Sequence, residues 1–134
     1  MTASSNPPVA RLTLSGFLSP GEPHHRKVLY EEVYRLLPKE PDARVCVYAW
    51  EIGPGRHTAW HIHNGAAFML VTEGRIAIEF QDENKSYTAG DVYPEPIGVV
   101  HRAINPDPGN SVCGVAFIAT PADREHVVNI NEPW

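Results

Sequence analysis

Three imidazoles are the residues of this chain best suited to chemistry. In the segment GRHTAWHIHNG, from Gly55 to Gly65, His61 and His63 are separated by one residue. On an extended strand, where side chains alternate in direction, that spacing puts both rings on one face, near enough to share a cation. A third imidazole, His101, follows in PIGVVHRAIN. A His-x-His pair alone is weak, because such histidines are as often hydrogen-bonded or solvated as metal-bound. Two further groups near the pair carry donor atoms. His57 shares the strand parity of His61 and His63 and would approach the same point if the extended conformation continued back that far. Glu51 lies just before it and reads as a solvated acid beside a turn.

The elements that must position these rings are short strands. From Ala43 onward the chain breaks into brief apolar runs rich in Val, Ile and aromatic residues, separated by GPG, NG, EG, QDEN, AGD and NPDPGN. Each separator is a turn or loop signal, so seven or eight short strands are expected. With no helix-period segments between them, the pattern predicts an antiparallel barrel or sandwich. Asn64 and Gly65 suit a tight hairpin with positive backbone dihedrals, which would return AAFMLVT alongside the histidine strand. Parity then makes Ala67, Met69 and Val71 pocket or core residues, with Ile76, Ile78 and Phe80 as another apolar face. Tyr48 and Tyr93 are expected in the pocket wall, whereas Trp50, Trp60, Phe68 and Phe117 are mostly assigned to the core or to a subunit interface. The run VLYEEVYRLL fits a helix face and a strand about equally and is left unassigned.

The spacing resembles that of the cupin superfamily, whose two motifs are G(X5)HXH(X3-4)E(X6)G and G(X5)PXG(X2)H(X3)N. Gly55, His61, His63 and Gly74 match the first motif, and Gly90, Pro96, Gly98, His101 and Asn105 match the second. The likeness covers roughly residues 44 to 120 and implies an all-β double-stranded β-helix, or jelly-roll barrel, with a metal inside one mouth. The motif glycines and Pro96 stand where the chain must reverse, and Asp91 can accept backbone hydrogen bonds after its glycine. One position departs from the pattern: the family's glutamate falls on Ala67. Three neutral imidazoles would leave a divalent metal near +2, where an added carboxylate would leave about +1, so an open site preferring an anionic chelating ligand is expected. The vacated side-chain volume would admit a substrate headgroup or a water. In ligand count the chain is similar to three-histidine cupins such as the thiol and β-diketone-cleaving dioxygenases. That similarity favours Fe(II), with Zn, Ni or Mn also compatible with imidazole ligands.

Three functions follow as expectations. The first is a non-haem Fe(II) dioxygenase acting on a small anionic or chelating substrate. The second is a non-catalytic cupin that binds a small metabolite, with or without metal. The third is a metal-independent isomerase or epimerase using histidine as base; it ranks last because Arg56, Arg75 and Arg102 do not cluster into a sugar-nucleotide site. The net charge of −5 and the scattering of the 11 Lys and Arg residues disfavour nucleic acid and anionic lipid as partners. No run approaches the ~20 apolar residues of a membrane span, and the first residues lack the apolar stretch of a secretion signal. Cys46 and Cys113, far apart in apolar runs, read as free thiols in a reducing compartment, so a cytoplasmic protein is expected. The chain divides into an irregular arm over 1–27, a barrel over 28–120 and a tail over 121–134 that docks on the barrel or on a partner subunit. Small cupins commonly pair, so the resemblance also implies a homodimer.

Overall fold

The computed structural model describes residues 10–11, 20–21 and 42–134. The unassigned run VLYEEVYRLL and most of the arm lie outside the described residues. Among those described there is no helix, and ten strands follow one another: β1 (Ala10–Arg11), β2 (Ala43–Ile52), β3 (His61–His63), β4 (Ala66–Glu73), β5 (Arg75–Glu79), β6 (Asn84–Thr88), β7 (Asp91–Glu95), β8 (Arg102–Ile104), β9 (Val112–Pro121) and β10 (Val127–Asn129). Eight of them fall between Ala43 and Pro121, in keeping with the strand count read from the turn signals.

Two layers face each other across one core. The first is a five-stranded antiparallel sheet in the order β1-β7-β4-β9-β2. The second combines the sheet β6-β5-β8 with the pair β10-β3, and bridges from His57 to Ile104 and from His61 to His101 join the two parts. Because strand side chains alternate, one face of each sheet supplies the interior. In β2 the even positions Cys46, Tyr48, Trp50 and Ile52 turn inward, while Val45 and Val47 are exposed. Met69, Val71, Ile76, Ile78, Tyr87, Tyr93, Val112 and Ile118 fill the space between the layers. This is the all-β double-stranded β-helix expected from the sequence.

Side chains that share a register line up in rows across the inner face of the five-stranded sheet. One row runs Cys46, Ile118, Ala67, Glu95, and the next runs Tyr48, Ala116, Met69, Tyr93. These rows set what can reach the mouth of the barrel.

The hairpin expected at Asn64–Gly65 does not form. β3 pairs with β10, whereas β4 pairs with β7 and β9, so the chain changes sheets at this point instead of folding back. Neither residue has a positive φ. Gly65 serves close approach: a Cβ there would collide with the carbonyl oxygen of Ala119. The motif glycines Gly55, Gly74, Gly90 and Gly98 do occupy the left-handed region, at φ of 67°, 79°, 92° and 72°. Asp91 accepts a hydrogen bond from the Thr88 amide at 2.8 Å, which closes the turn before β7.

Candidate metal centre

The three histidines converge. Imidazole centroids lie 5.1 Å apart for His61 and His63, 4.4 Å for His61 and His101, and 4.9 Å for His63 and His101. The fourth member is Glu95, from the end of β7, and one donor atom from each of the four residues lies within 4.8 Å of the others. All four are buried. The sequence motif places the acid at position 67, but the register of β4 on β7 sets Ala67 directly opposite Glu95. The carboxylate has moved one strand sideways within the same row. The expectation of a site with three neutral donors and no acid is corrected here, because the fourth donor comes from a strand pairing that local spacing does not express.

Backbone contacts orient the rings. Nδ1 of His61 donates to the Ala59 carbonyl at 2.8 Å, and Nδ1 of His101 donates to the Val99 carbonyl at 2.8 Å. Each ring therefore keeps its proton on Nδ1 and turns the Nε2 lone pair toward the group, as metal-ligating histidines do. His63 presents Nε2 to Glu95 Oε2 at 2.8 Å, and its own Nδ1 is buried without a partner. His101 Nε2 lies against the same carboxylate oxygen but lacks hydrogen-bond geometry and has no other partner. With Nδ1 protonated, a neutral ring would set a lone pair against an anion here, so the contact calls for positive charge: a second proton on the ring or a cation bound at the group. Ligands bonded at about 2.0–2.2 Å and set at right angles would stand about 3 Å apart, close to the His63–Glu95 separation. The donor set fits a divalent ion.

Electrostatics favour the ligating forms of Glu95 and His61, and the protonated form of His101. Burial alone would raise the Glu95 pKa, but the His101 imidazole lying against it and the hydrogen bond from His63 outweigh burial and hold the carboxyl at about 2. Burial lowers the pKa of His61, leaving the neutral ring favoured despite its bond to Ala59. For His101 burial works in the same direction, but Glu95 overcomes it and the pKa is raised. Burial, reinforced by the Glu95 charge, pushes Tyr48 and Tyr93 upward and Tyr87 to about 12, so these phenols remain protonated near neutral pH.

A cavity of about 340 Å³ opens beside the group, lined by His61, His63 and Glu95 and by Tyr48, Trp50, Met69 and Tyr93 among others. This lies within the range of small-molecule sites. Tyr48, Met69 and Tyr93 are in its wall. Ala67 is fully buried but is not in the wall. The carboxylate opposite it occupies the row in which room for a substrate headgroup was expected. His57 is exposed, with its Nδ1 against the Thr58 carbonyl, because the extended conformation of β3 begins only at His61. Glu51 is exposed at the cavity rim. The tail docks on the barrel: β10 pairs with β3, the Ile130 amide donates to the Trp60 carbonyl at 2.8 Å, and Trp134 meets Trp60 edge-on at 4.7 Å.

Comparison with known proteins agrees with this geometry. Residues 48–118, more than half of the chain, match the family described as "Cupin domain". The chain belongs to the cupin family. Among solved structures, this cupin is similar to a cupin-like protein of Thermotoga maritima, at 24% identity over 64% of each chain and a TM-score of 0.56. It therefore spans less than two thirds of that protein's length. A DMSP lyase of Ruegeria pomeroyi is 14% identical over 66% of this chain and 44% of its own, with a TM-score of 0.56. The polyketide cyclase RemF of Streptomyces resistomycificus is 19% identical over 69% of this chain and 66% of its own, with a TM-score of 0.55. At these identities the likeness shows the fold alone, and the differing names show that one cupin barrel serves different reactions. No protein of curated function matches the sequence.

Proposed function

We propose that this cupin is a metal-dependent enzyme, a non-haem Fe(II) dioxygenase acting on a small, chelating, anionic substrate. The observation that supports it most is the buried group of three imidazoles and one carboxylate in which His101 Nε2 lies against Glu95. His61, His63, His101 and Glu95 would hold the ion. A ferrous ion there supplies redox chemistry toward oxygen and, beyond four protein ligands, free positions for a substrate. One carboxylate lowers the charge of the centre to about +1, so a monoanionic chelate would bring it to neutrality.

The chain's own residues shape the rest. Among the described residues no Lys or Arg lines the cavity, so the metal is the cationic anchor these residues would offer an anionic substrate. Met69, Ile76 and Ala103 supply an apolar wall that keeps water from the reacting centre. Tyr48 and Tyr93 stay protonated and offer hydrogen-bond donors without adding negative charge. A dioxygenase incorporates both oxygen atoms into the substrate, so the reaction needs no separate reductant.

The test begins with elemental analysis of protein purified without chelator or affinity-tag metal. Iron-loaded protein is then given enolates, thiolates and hydroxy-ketones in an oxygen electrode. Stoichiometric iron with oxygen uptake, both lost in His101→Ala, is the expected result. Full iron occupancy without uptake across the panel would sink the dioxygenase. A second reading, a metal-free cupin that binds a metabolite without turnover, draws on the same contact: with His101 protonated the pair neutralises itself. An empty site together with tight metabolite binding would favour that reading.

A further inference from the structure

The cavity wall contains a donor that the metal centre does not use. Trp50 turns inward from β2 and lines the cavity, and its Nε1 is buried without a hydrogen-bond partner among the described residues. The side chain occupies this place by design of its neighbour. Gly114 on β9 is its registered partner, and a Cβ there would overlap the indole ring, so the ring lies flat over bare backbone. A buried N–H left unpaired costs about 1–3 kcal/mol, and the great majority of such groups in native proteins are paired. Among the described residues, the buried side-chain atoms without a hydrogen-bond partner are Trp50 Nε1, His63 Nδ1 and His101 Nε2. Two of the three are on the residues of the metal group, and the third belongs to a residue that lines the same cavity two rows farther along the sheet.

We propose that the Trp50 indole N–H is a specificity contact, donating to an oxygen acceptor on the far end of a ligand whose near end chelates at His61, His63, His101 and Glu95. This rests on the metal reading above. It adds that the substrate is bifunctional, with a chelating anionic head, an apolar middle facing Met69 and Ile76, and a neutral carbonyl or ether oxygen beyond. Trp50 is a positioning residue in this scheme and takes no part in bond making.

Benzohydroxamate and its ortho, meta and para acetyl derivatives test this on Co(II)-loaded protein, with affinity read from the cobalt absorption bands. The hydroxamate chelates the ion, and the acetyl oxygen samples the wall. At least one acetyl isomer should bind wild type roughly three- to tenfold tighter than the parent compound, the range of one neutral hydrogen bond. In Trp50→Phe that preference should vanish, whatever the substitution does to the affinity of the parent compound. Equal affinity for all four compounds in wild type, or a preference that survives the substitution, would overturn the proposal. If Trp50→Phe does not fold, proton NMR of zinc-loaded wild type decides instead. The Trp50 indole proton, assigned with Trp60→Phe and Trp134→Phe, should move downfield with the acetyl compound and stay in place with the parent. No such movement refutes the contact. Failure of cobalt to bind, or of the parent compound to perturb it, is a distinct result that refutes the metal reading and this inference with it.

Discussion

Four residues apart on one stretch of chain, His101 and Asn105 are both fully buried and both polar, yet their surroundings differ in kind. Asn105 is saturated. Its Nδ2 is shared among the carbonyls of Ile52, Gly53 and Asn110 at 3.0, 3.1 and 2.8 Å, and its Oδ1 accepts from the Asp107 amide at 2.9 Å. His101 satisfies Nδ1 on the Val99 carbonyl but leaves Nε2 facing a carboxylate without hydrogen-bond geometry. A polar group whose every valence is met within the protein holds loops in place. One held firmly on one side and left open on the other is prepared for something the chain does not itself supply.

Removing Asn105 should therefore be the most damaging change to the fold. Asn105→Ala strands three carbonyls and one amide that its side chain now satisfies. At about 1–3 kcal/mol for each buried group left unmet, a loss of about 3–5 kcal/mol is expected, a large share of the 5–15 kcal/mol that holds a typical domain. Chemical denaturation of the metal-free variant measures it. A loss below about 1 kcal/mol would contradict the architectural role given to this residue.

Glu95→Gln asks the opposite question, since it preserves shape while deleting the charge that balances the imidazoles. Metal affinity should fall by more than about tenfold, because even partners of ligands, when altered, cost about 10–100-fold. Competition with a chromophoric chelator reads the affinity, and retained cooperative unfolding shows that the barrel survives. Unchanged affinity would remove Glu95 from the ligand set.

The same contrast explains what was legible in the sequence. His61, His63, His101 and Asn105 are fixed by local spacing, and so were the turns at Gly55, Gly74, Gly90 and Gly98; the jelly roll followed from them. Glu95 obeys a different rule. Its place depends on which residue of β4 lies opposite which residue of β7, a long-range register that no count along the chain expresses. One local signal was present: Tyr93 was read as a wall residue, strand parity then turns Glu95 inward, and a residue before proline favours the extended backbone that carries that parity forward. The hairpin at Asn64–Gly65 failed for a related reason. The glycine there answers to Ala119, far away in sequence, and local turn chemistry could not reveal that.

If register alone moved the acid, moving it back should be tolerated. Directly opposed residues on antiparallel strands have Cβ atoms about 4.5–5.5 Å apart, within the reach of a glutamate side chain. The double variant Ala67→Glu, Glu95→Ala should recover at least about a tenfold part of the metal affinity lost in Glu95→Ala alone. Equal affinity of the single and double variants would show that the geometry of β7, and not merely a carboxylate in this row, is required.

The smallest effect concerns the protein stripped of metal, where only protons can bridge His101 and Glu95. Glu95 has a folded pKa of about 2 against an ordinary 4.5, so its contribution to stability is present above about pH 4.5 and is lost as pH falls toward 2. His101 is raised above its ordinary 6.5, so its contribution is full below pH 6.5 and is lost as pH rises through the folded value. These are two edges of one interaction and not two separate gains. The share of stability that this pair contributes to the metal-free barrel should thus form a plateau between about pH 4.5 and 6.5 and decline on either side, while His61, whose pKa is lowered, takes away stability as pH falls below 6.5. Loading metal should abolish the alkaline decline, since the ion then takes the place of the His101 proton, and should steepen the acid one, since protons then compete with the ion for every ligand. Thermal melts across pH with and without metal separate the cases. An alkaline decline that persists unchanged in the loaded protein would mean that the ion does not reach His101.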